Sequence, residues 1–458
     1  MTATNPNSNP ITIREAVQKL NNKEFSTHQL ISDILARIQS TDEQVQAWLD
    51  VRPRNLIDTA NAQDRRRMLP QETTPLFGIP IGIKDLVDVS GYLTLCNMEA
   101  RENTKEAVRD AEIVHEMRKS GVIIVGKTVT QEAAAGIYSD PCRNPWDTDR
   151  IPGGSSGGSA AAIANGTALG AIGTDTGGSI RIPAALCGIA GLKPTWGRIP
   201  TKGIFPLSPS LDTPGPMART VADTMALYLA MQGKHKEIPQ MWDLFPETGV
   251  QLAGKRIGVL TSYFNRHLQP EIQEAQNNAV AKLRELGAEI VECDWQDAAT
   301  ARIVAKQISR MESAQVHRDL LVATPDLMGE ELRKRVEIGA ILPVDVWFAM
   351  LAGREQVKQS IAALYKQHQL DAIITPSTPV TAPKVGERSL TFADGFTEDT
   401  GAALTRFTGP WNATGQPVFA VPAGLDELGL PIGLSLVGRP DQEWELADIA
   451  HALECALQ

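Results

Sequence analysis

Gly153-Gly154-Ser155-Ser156-Gly157-Gly158-Ser159 and, shortly after it, Gly173-Thr174-Asp175-Thr176-Gly177-Gly178-Ser179-Ile180-Arg181-Ile182-Pro183 are the most informative residues of this chain. Paired glycines let a backbone turn tightly, so that successive N–H groups face one point. Between the two turns, the small residues from Ser159 to Asn165 predict a closely packed helix. The run from Ala168 onward predicts a strand that opens into the second turn. Upstream, Phe77-Gly78-Ile79-Pro80-Ile81-Gly82-Ile83-Lys84-Asp85 reads as a strand ending at a loop, and residues 110–126 as a helix followed by the strand Val122–Val125. Downstream, Arg256–Leu260, about Pro270–Leu286 and Glu289–Glu292 read as strand, helix and strand. Helices dominate 296–366, and Asp371–Thr375, Val418–Val421 and Ile432–Val437 are further strands. The first 50 residues read as helical, with capping-box sequences at Thr12–Glu15 and Ser26–Gln29. Strands alternating with helices throughout predict one large α/β unit spanning 1–458. Within it we distinguish an N-terminal helical segment (about 1–70), a core (about 75–225), a variable segment (about 230–370) and a C-terminal return to the core (about 371–458).

The chain has 458 residues, 42% hydrophobic and 21% charged, which excludes wholesale disorder. A net charge of −10 makes it a poor binder of phosphate backbones, so no nucleic-acid partner is expected. Its five cysteines are odd in number, far apart and without a CxxC pair. That argues against a disulfide framework or zinc knuckle and for a cytoplasmic location. The opening MTATNPNSNP has neither a cationic start nor an apolar run, so no signal peptide is expected. The uncharged stretch from Pro152 to Thr174 is long enough to span a bilayer, but it is mostly Gly, Ala and Ser. It reads as packed protein interior, and no membrane association is expected.

Two motif matches mislead. Gly121-Val122-Ile123-Ile124-Val125-Gly126-Lys127-Thr128 fits the P-loop pattern letter for letter. A phosphate cradle needs an open loop there, and β-branched apolar residues make a strand instead. Gly153-Gly154-Ser155-Ser156-Gly157 fits the nucleophile-elbow pattern, but turn-like residues precede it and the seven histidines are scattered, none in a motif-like context. Without an HxxxH or HxH spacing, no metal site is expected either. Cys187 stands among apolar residues and reads as a buried, inert thiol.

Taken singly, serine–glycine clusters are usually turns and a lone lysine is usually a surface charge. Here two such clusters and Lys84 occur together and in order, and that combination resembles the amidase signature family of serine amidases. GGSSGGS followed by GTDTGGSIRIPAALCGIAGLKPT carries the resemblance, which reaches the C-terminal Gly429–Gly438 and is weakest between about 230 and 370. The resemblance implies a three-layer α/β/α sandwich around a mixed, twisted sheet, a cis peptide at Gly154–Ser155 and a triad of Lys84, Ser155 and Ser179. Amide hydrolysis needs a nucleophile, a proton shuttle and oxyanion stabilisation. Burial disfavours an ammonium, so Lys84 would be held neutral and take a proton from Ser155, which relays it from the attacking Ser179. An acyl-enzyme would form on Ser179 and be cleaved by water. Backbone N–H groups of Thr176, Gly177, Gly178 and Ser179 would form the oxyanion hole. Asp175 and Arg181 would orient that turn, and Ser156 would donate to nearby backbone.

The expected activity is hydrolysis of a small carboxamide to a carboxylic acid plus ammonia or an amine, without cofactor or metal. A homodimer is possible by resemblance. The alternative is the amidase component of a tRNA-dependent amidotransferase, which releases ammonia from glutamine for a partner protein. Against it, Thr128–Gly136 lacks the Met-Asp-Glu-Phe-type stretch usual in such components. The substrate pocket is expected from two regions: the helical stretch 300–350, with Met311, Trp347, Phe348 and Met350, and Thr405–Trp411, where Phe407 and Trp411 stand out. Their bulk favours an apolar or aryl acyl group.

Overall fold

The structure, a computed structural model, describes residues 11–69 and 74–458. The N-terminal stretch read for a leader lies outside the described residues. The described residues form thirteen strands: β1 (Trp48–Val51), β2 (Pro80–Lys84), β3 (Ile123–Thr128), β4 (Gly170–Asp175), β5 (Ala190–Lys193), β6 (Thr213–Ala218), β7 (Arg256–Leu260), β8 (Glu289–Cys293), β9 (Ala372–Pro376), β10 (Ser389–Thr391), β11 (Thr397–Asp399), β12 (Val418–Leu425) and β13 (Pro431–Gly438). Eleven of them make one sheet in the order β1-β3-β2-β4-β6-β5-β12-β13-β9-β7-β8, and β10 and β11 pair as a separate hairpin. β2 runs parallel to both β3 and β4, and β7 to both β8 and β9, while the strands between are antiparallel. The sheet is therefore mixed, as expected.

Alternation along the central strands shows how the layers are built. In β9, Ala372 and Ile374 join one hydrophobic core while Ile373 joins the core on the other face. In β12, Phe419 and Val421 face the first core, and Val418 and Ala420 turn away from it. Successive side chains of a strand point to opposite faces, so a sheet apolar on both faces must be covered on both. The helices Val221–Met231, Pro270–Glu285 and Glu443–Leu457 cover one face. The helices Gly157–Ala164, Arg181–Cys187, Ala298–Val316 and Val344–His368 cover the other. The result is the three-layer α/β/α sandwich.

Local signals hold with small corrections. Thr12 forms a complete capping box with Glu15. Ser26 makes only half of one: its Oγ accepts from the Gln29 N–H, but the Gln29 side chain turns away to Asp33 at 2.8 Å. The P-loop match is the fully buried strand β3, and Lys127 forms an ion pair with Asp85 at 2.8 Å. The small-residue helix starts at Gly157, earlier than its side chains suggest. A Cβ on Gly158 would stand 2.4 Å from the Val129 nitrogen, so the helix end lies against the main chain after β3 at a distance only glycine allows. No single helix among the described residues is long and apolar enough to cross a membrane.

Candidate active site

β2 and β4 are adjacent and parallel, and both end at the same edge of the sheet. Lys84 is the last residue of β2, and Asp175 the last of β4, where the second glycine turn begins. Crevices outside the carboxyl ends of parallel strands are the usual ligand sites of open α/β sheets. The first glycine turn enters from the side, so residues far apart in sequence converge here.

Lys84 is fully buried. Its Nζ lies 2.8 Å from Ser155 Oγ, 2.8 Å from Ser156 Oγ and 2.9 Å from Thr174 Oγ1. Burial pushes its pKa down to about 7, partly offset by the charges of Asp175 and Asp212. Three hydroxyls suit either protonation state. An ammonium donates to all three, and a neutral amine donates two hydrogen bonds and accepts one from a hydroxyl. Sequence reasoning does not single out Thr174, although it stands two residues before the Thr176 that opens the glycine turn. Ser156 does more than expected: it binds the lysine and also donates to the Thr174 carbonyl at 3.2 Å.

The peptide between Gly154 and Ser155 is cis. The Ser156 N–H donates to the Ser179 carbonyl at 3.2 Å, which ties the two glycine turns together through the main chain. Among the described residues no hydrogen bond joins the Ser155 and Ser179 hydroxyls. Ser179 instead faces a cavity of about 600 Å³, which Thr176 and Gly177 also line.

The turn carrying Ser179 is held from below. Arg181 Nε donates to Asp175 Oδ2 at 2.9 Å and Nη2 to Oδ1 at 2.8 Å, a bidentate pair with both side chains fully buried. Burial pushes the Asp175 carboxyl up, but the Arg181 charge and hydrogen bonds outweigh it and hold the group well below the usual carboxylate range. Arg181 also reaches the Thr408 carbonyl at 2.9 Å and Asn412 Oδ1 at 2.7 Å, and Asn412 Nδ2 returns to Asp175 at 2.8 Å. Asn412 and Thr408 lie more than two hundred positions away along the chain, and no local pattern marks them. Such a closed network fixes the turn's shape because every buried charge has its partners.

That network corrects one expectation. The Gly178 N–H donates to Asp175 Oδ1 at 2.9 Å, so it is engaged in holding the turn and is not free to join the expected oxyanion hole. The N–H groups of Thr176, Gly177 and Ser179 have no acceptor among the described residues. Gly178 is required for a different reason. Its φ is +134°, and a Cβ there would lie 2.3 Å from Thr408 Oγ1, the hydroxyl that donates to the Gly177 carbonyl at 2.6 Å.

The expected pocket residues are a second correction. Phe407 and Trp411 do not line the cavity. Phe407 is 1% exposed and Trp411 not at all. Trp411 stacks on Phe264 (5.3 Å between ring centroids) and Trp295 (5.2 Å) within the core. Trp347 and Met350 pack against the same core, Phe348 is 64% exposed, and Met311 is absent from the cavity wall. The two expected segments do supply the wall, through Arg302 to Ile338 and Thr405 to Gly409, but its side chains are largely polar and charged. The apolar part of the wall comes from segments that sequence reasoning did not single out, Ala134 to Tyr138 and Leu207. Trp411→Ala is accordingly expected to cost about 3–5 kcal/mol of stability, read by chemical denaturation. A change in KM at unchanged stability would contradict this placement.

Similarity to known proteins covers nearly the whole chain. The Amidase family profile matches residues 29–447. A glutamyl-tRNA(Gln) amidotransferase subunit of Roseiflexus castenholzii is 37% identical, over 97% of this chain and 95% of that one. An amidase of Pseudomonas putida is 35% identical, over 97% of this chain and 96% of that one. A solved structure described as a vestigial protein complex that reveals the evolutionary origins of an s-triazine catabolic enzyme superposes with a TM-score of 0.89, at 32% identity and 98% coverage of both chains.

Proposed function

The chain belongs to the amidase family, hydrolases of amide C–N bonds, and on that premise we propose that it cleaves a small carboxamide through an acyl-enzyme on Ser179. The single observation that carries this reading is the fully buried Lys84 amine, brought near neutrality by burial and bonded to the hydroxyl of Ser155. An amine able to exist uncharged at pH 7 accepts a proton, and Ser155, bonded to it, is followed by Ser156, whose N–H is bonded to the Ser179 carbonyl. The relay requires the Ser155 and Ser179 hydroxyls to close up when substrate binds. Active-site hydrogen bonds of this kind tighten in the substrate complex. Thr176, Gly177 and Ser179 offer N–H groups to the developing oxyanion, a donor of this type being worth about 3–4 kcal/mol.

A second reading is favoured by a specific finding. The Roseiflexus castenholzii relative, named for an amidotransferase subunit, is 37% identical against 35% for the relative named as an amidase, over the same share of the chain, so similarity favours this reading over the first. That similarity outweighs the departure at Thr128–Gly136, which speaks against a glutaminase component. Under this reading the same three residues release ammonia from glutamine, and a partner protein receives it.

Ammonia release from acetamide, benzamide, indoleacetamide, malonamide and glutamine separates the two. The purified chain alone is expected to turn over a non-glutamine amide. Turnover confined to glutamine, or dependent on an added partner, transfers support to the amidotransferase reading. If no amide yields ammonia under either condition, both readings fall.

A further inference from the structure

The wall of the cavity beside Ser179 carries six basic residues against three acidic ones. Its wall includes Arg302, Lys306 and Arg310, which recur every four residues along the helix Ala298–Val316 and so form one stripe. Like charges at this spacing destabilise a helix. Arg335, on the facing helix Glu330–Ile341, adds a further cation. Some of the basic residues are answered locally. Arg302 pairs with Glu398 at 3.0 Å, Arg388 with Glu331 at 2.7 Å, and Lys334 with Glu330 one helical turn away.

Lys306, Arg310 and Arg335 have no ion pair among the described residues. Arg310 reaches only the amide oxygen of Gln307, at 3.3 Å, and Arg335 only the hydroxyl of Ser309, at 2.9 Å. Burial, and then the neighbouring Arg310, Arg302 and Arg335, push the Lys306 pKa down. Burial, and then Arg310, push that of Arg335 down to about 10. Two acids partly oppose this, Asp399 at Lys306 and Glu331 at Arg335, but neither forms an ion pair with the group: Glu331 pairs with Arg388, and Asp399 accepts from the Ala402 N–H at 2.8 Å. Cations that repel one another across a cavity are offset by an anion placed among them, through charge-assisted hydrogen bonds.

We propose that the substrate is an amide whose far end carries a carboxylate, held by Lys306, Arg310 and Arg335 while its carbonyl lies against Ser179. This rests on the amide-hydrolase reading above and names the substrate class within it. A cavity of about 600 Å³ suits a small molecule of this kind. The hydrolysis product would be a dicarboxylate, because the cleaved amide becomes a second carboxylate. A zwitterion such as glutamine fits less well, since its ammonium would meet the same cations.

Calorimetric titration of the full-length Ser179→Ala chain, which cannot consume substrate, tests this with succinamate against succinamide, two ligands of nearly equal size that differ in charge. Succinamate is expected to bind at least about tenfold more tightly. Lys306→Met/Arg310→Met on the same background is expected to erase the difference. Equal affinity for the two ligands, no binding of succinamate, or tighter binding of glutamine than of succinamate overturns the proposal. The comparison of ligands on one chain does not depend on how the double substitution folds. Ammonia release from neutral amides by the wild-type chain is scored separately, so the anion site can fail while amide hydrolysis stands, and the reverse.

Discussion

Ser179→Ala is expected to lower kcat/KM for amide hydrolysis by roughly 10⁴-fold or more, as removal of a nucleophile does in other serine hydrolases. The same substitution is expected to change stability by no more than about 0.5 kcal/mol. The two expectations have one structural source. The Ser179 hydroxyl makes no hydrogen bond among the described residues, so the fold does not use it. The turn itself is held by the Gly178 and Ile180 N–H groups on Asp175 and by Arg181 beneath them. Steady-state kinetics and a denaturation curve on the same preparation decide the matter. Retained turnover would remove Ser179 from the chemistry, and a large loss of stability would show that its hydroxyl is structural.

Lys84→Met is expected to reduce kcat/KM by roughly 10²–10⁴-fold, the usual contribution of a positioned base. Its pH dependence is the sharper test. In the proposed relay the active form is the neutral amine, and burial lowers its pKa to about 7, so kcat/KM should fall as pH drops through 7. Lys84→Met should lack that limb. The same shift has a consequence for stability. The folded-state value lies below the ordinary 10.5, so between about 7 and 10.5 the unfolded chain binds more protons at this site than the folded one. The contribution of Lys84 therefore makes the fold more stable as pH rises across that window, and below it the full burial cost remains. Wild type measured against Lys84→Met by urea denaturation should show the difference moving in wild type's favour with rising pH. A flat difference, or a pH–rate profile unchanged in the variant, would assign the proton acceptor to another group.

Much of the architecture is legible in the sequence because it follows from local rules. Continuous apolar runs in β9 and β12 put apolar side chains on both faces of the sheet and demand cover on both. The β-branched run inside the P-loop pattern is a strand because such residues pack well on a pleated surface. The half-formed capping box at Ser26 shows the limit of this kind of reading. A sequence pattern offers Gln29 a partner but does not prevent Asp33, one turn along, from taking it.

The residues around Ser179 divide along the same line. The two glycine turns and the lysine at the end of β2 are readable alone, because small residues, serines and a strand terminus carry their geometry in a few consecutive positions. Which N–H of the second turn stays available is not readable, since Asp175 takes that of Gly178 only within a network that Asn412 closes from the far end of the chain. Nor is the role of the aromatics. Trp411 is a core residue because Phe264 and Trp295 arrive on either side of it, and their arrival depends on how distant segments pack. The charge of the cavity is decided in the same way. Lys306 and Arg310 lie on one helix stripe in any reading, but only the packing of Glu330–Ile341 against that helix sets Arg335 beside them and turns the stripe toward Ser179. Short-range sterics and periodicity are properties of the chain, whereas burial and charge proximity belong to the folded whole.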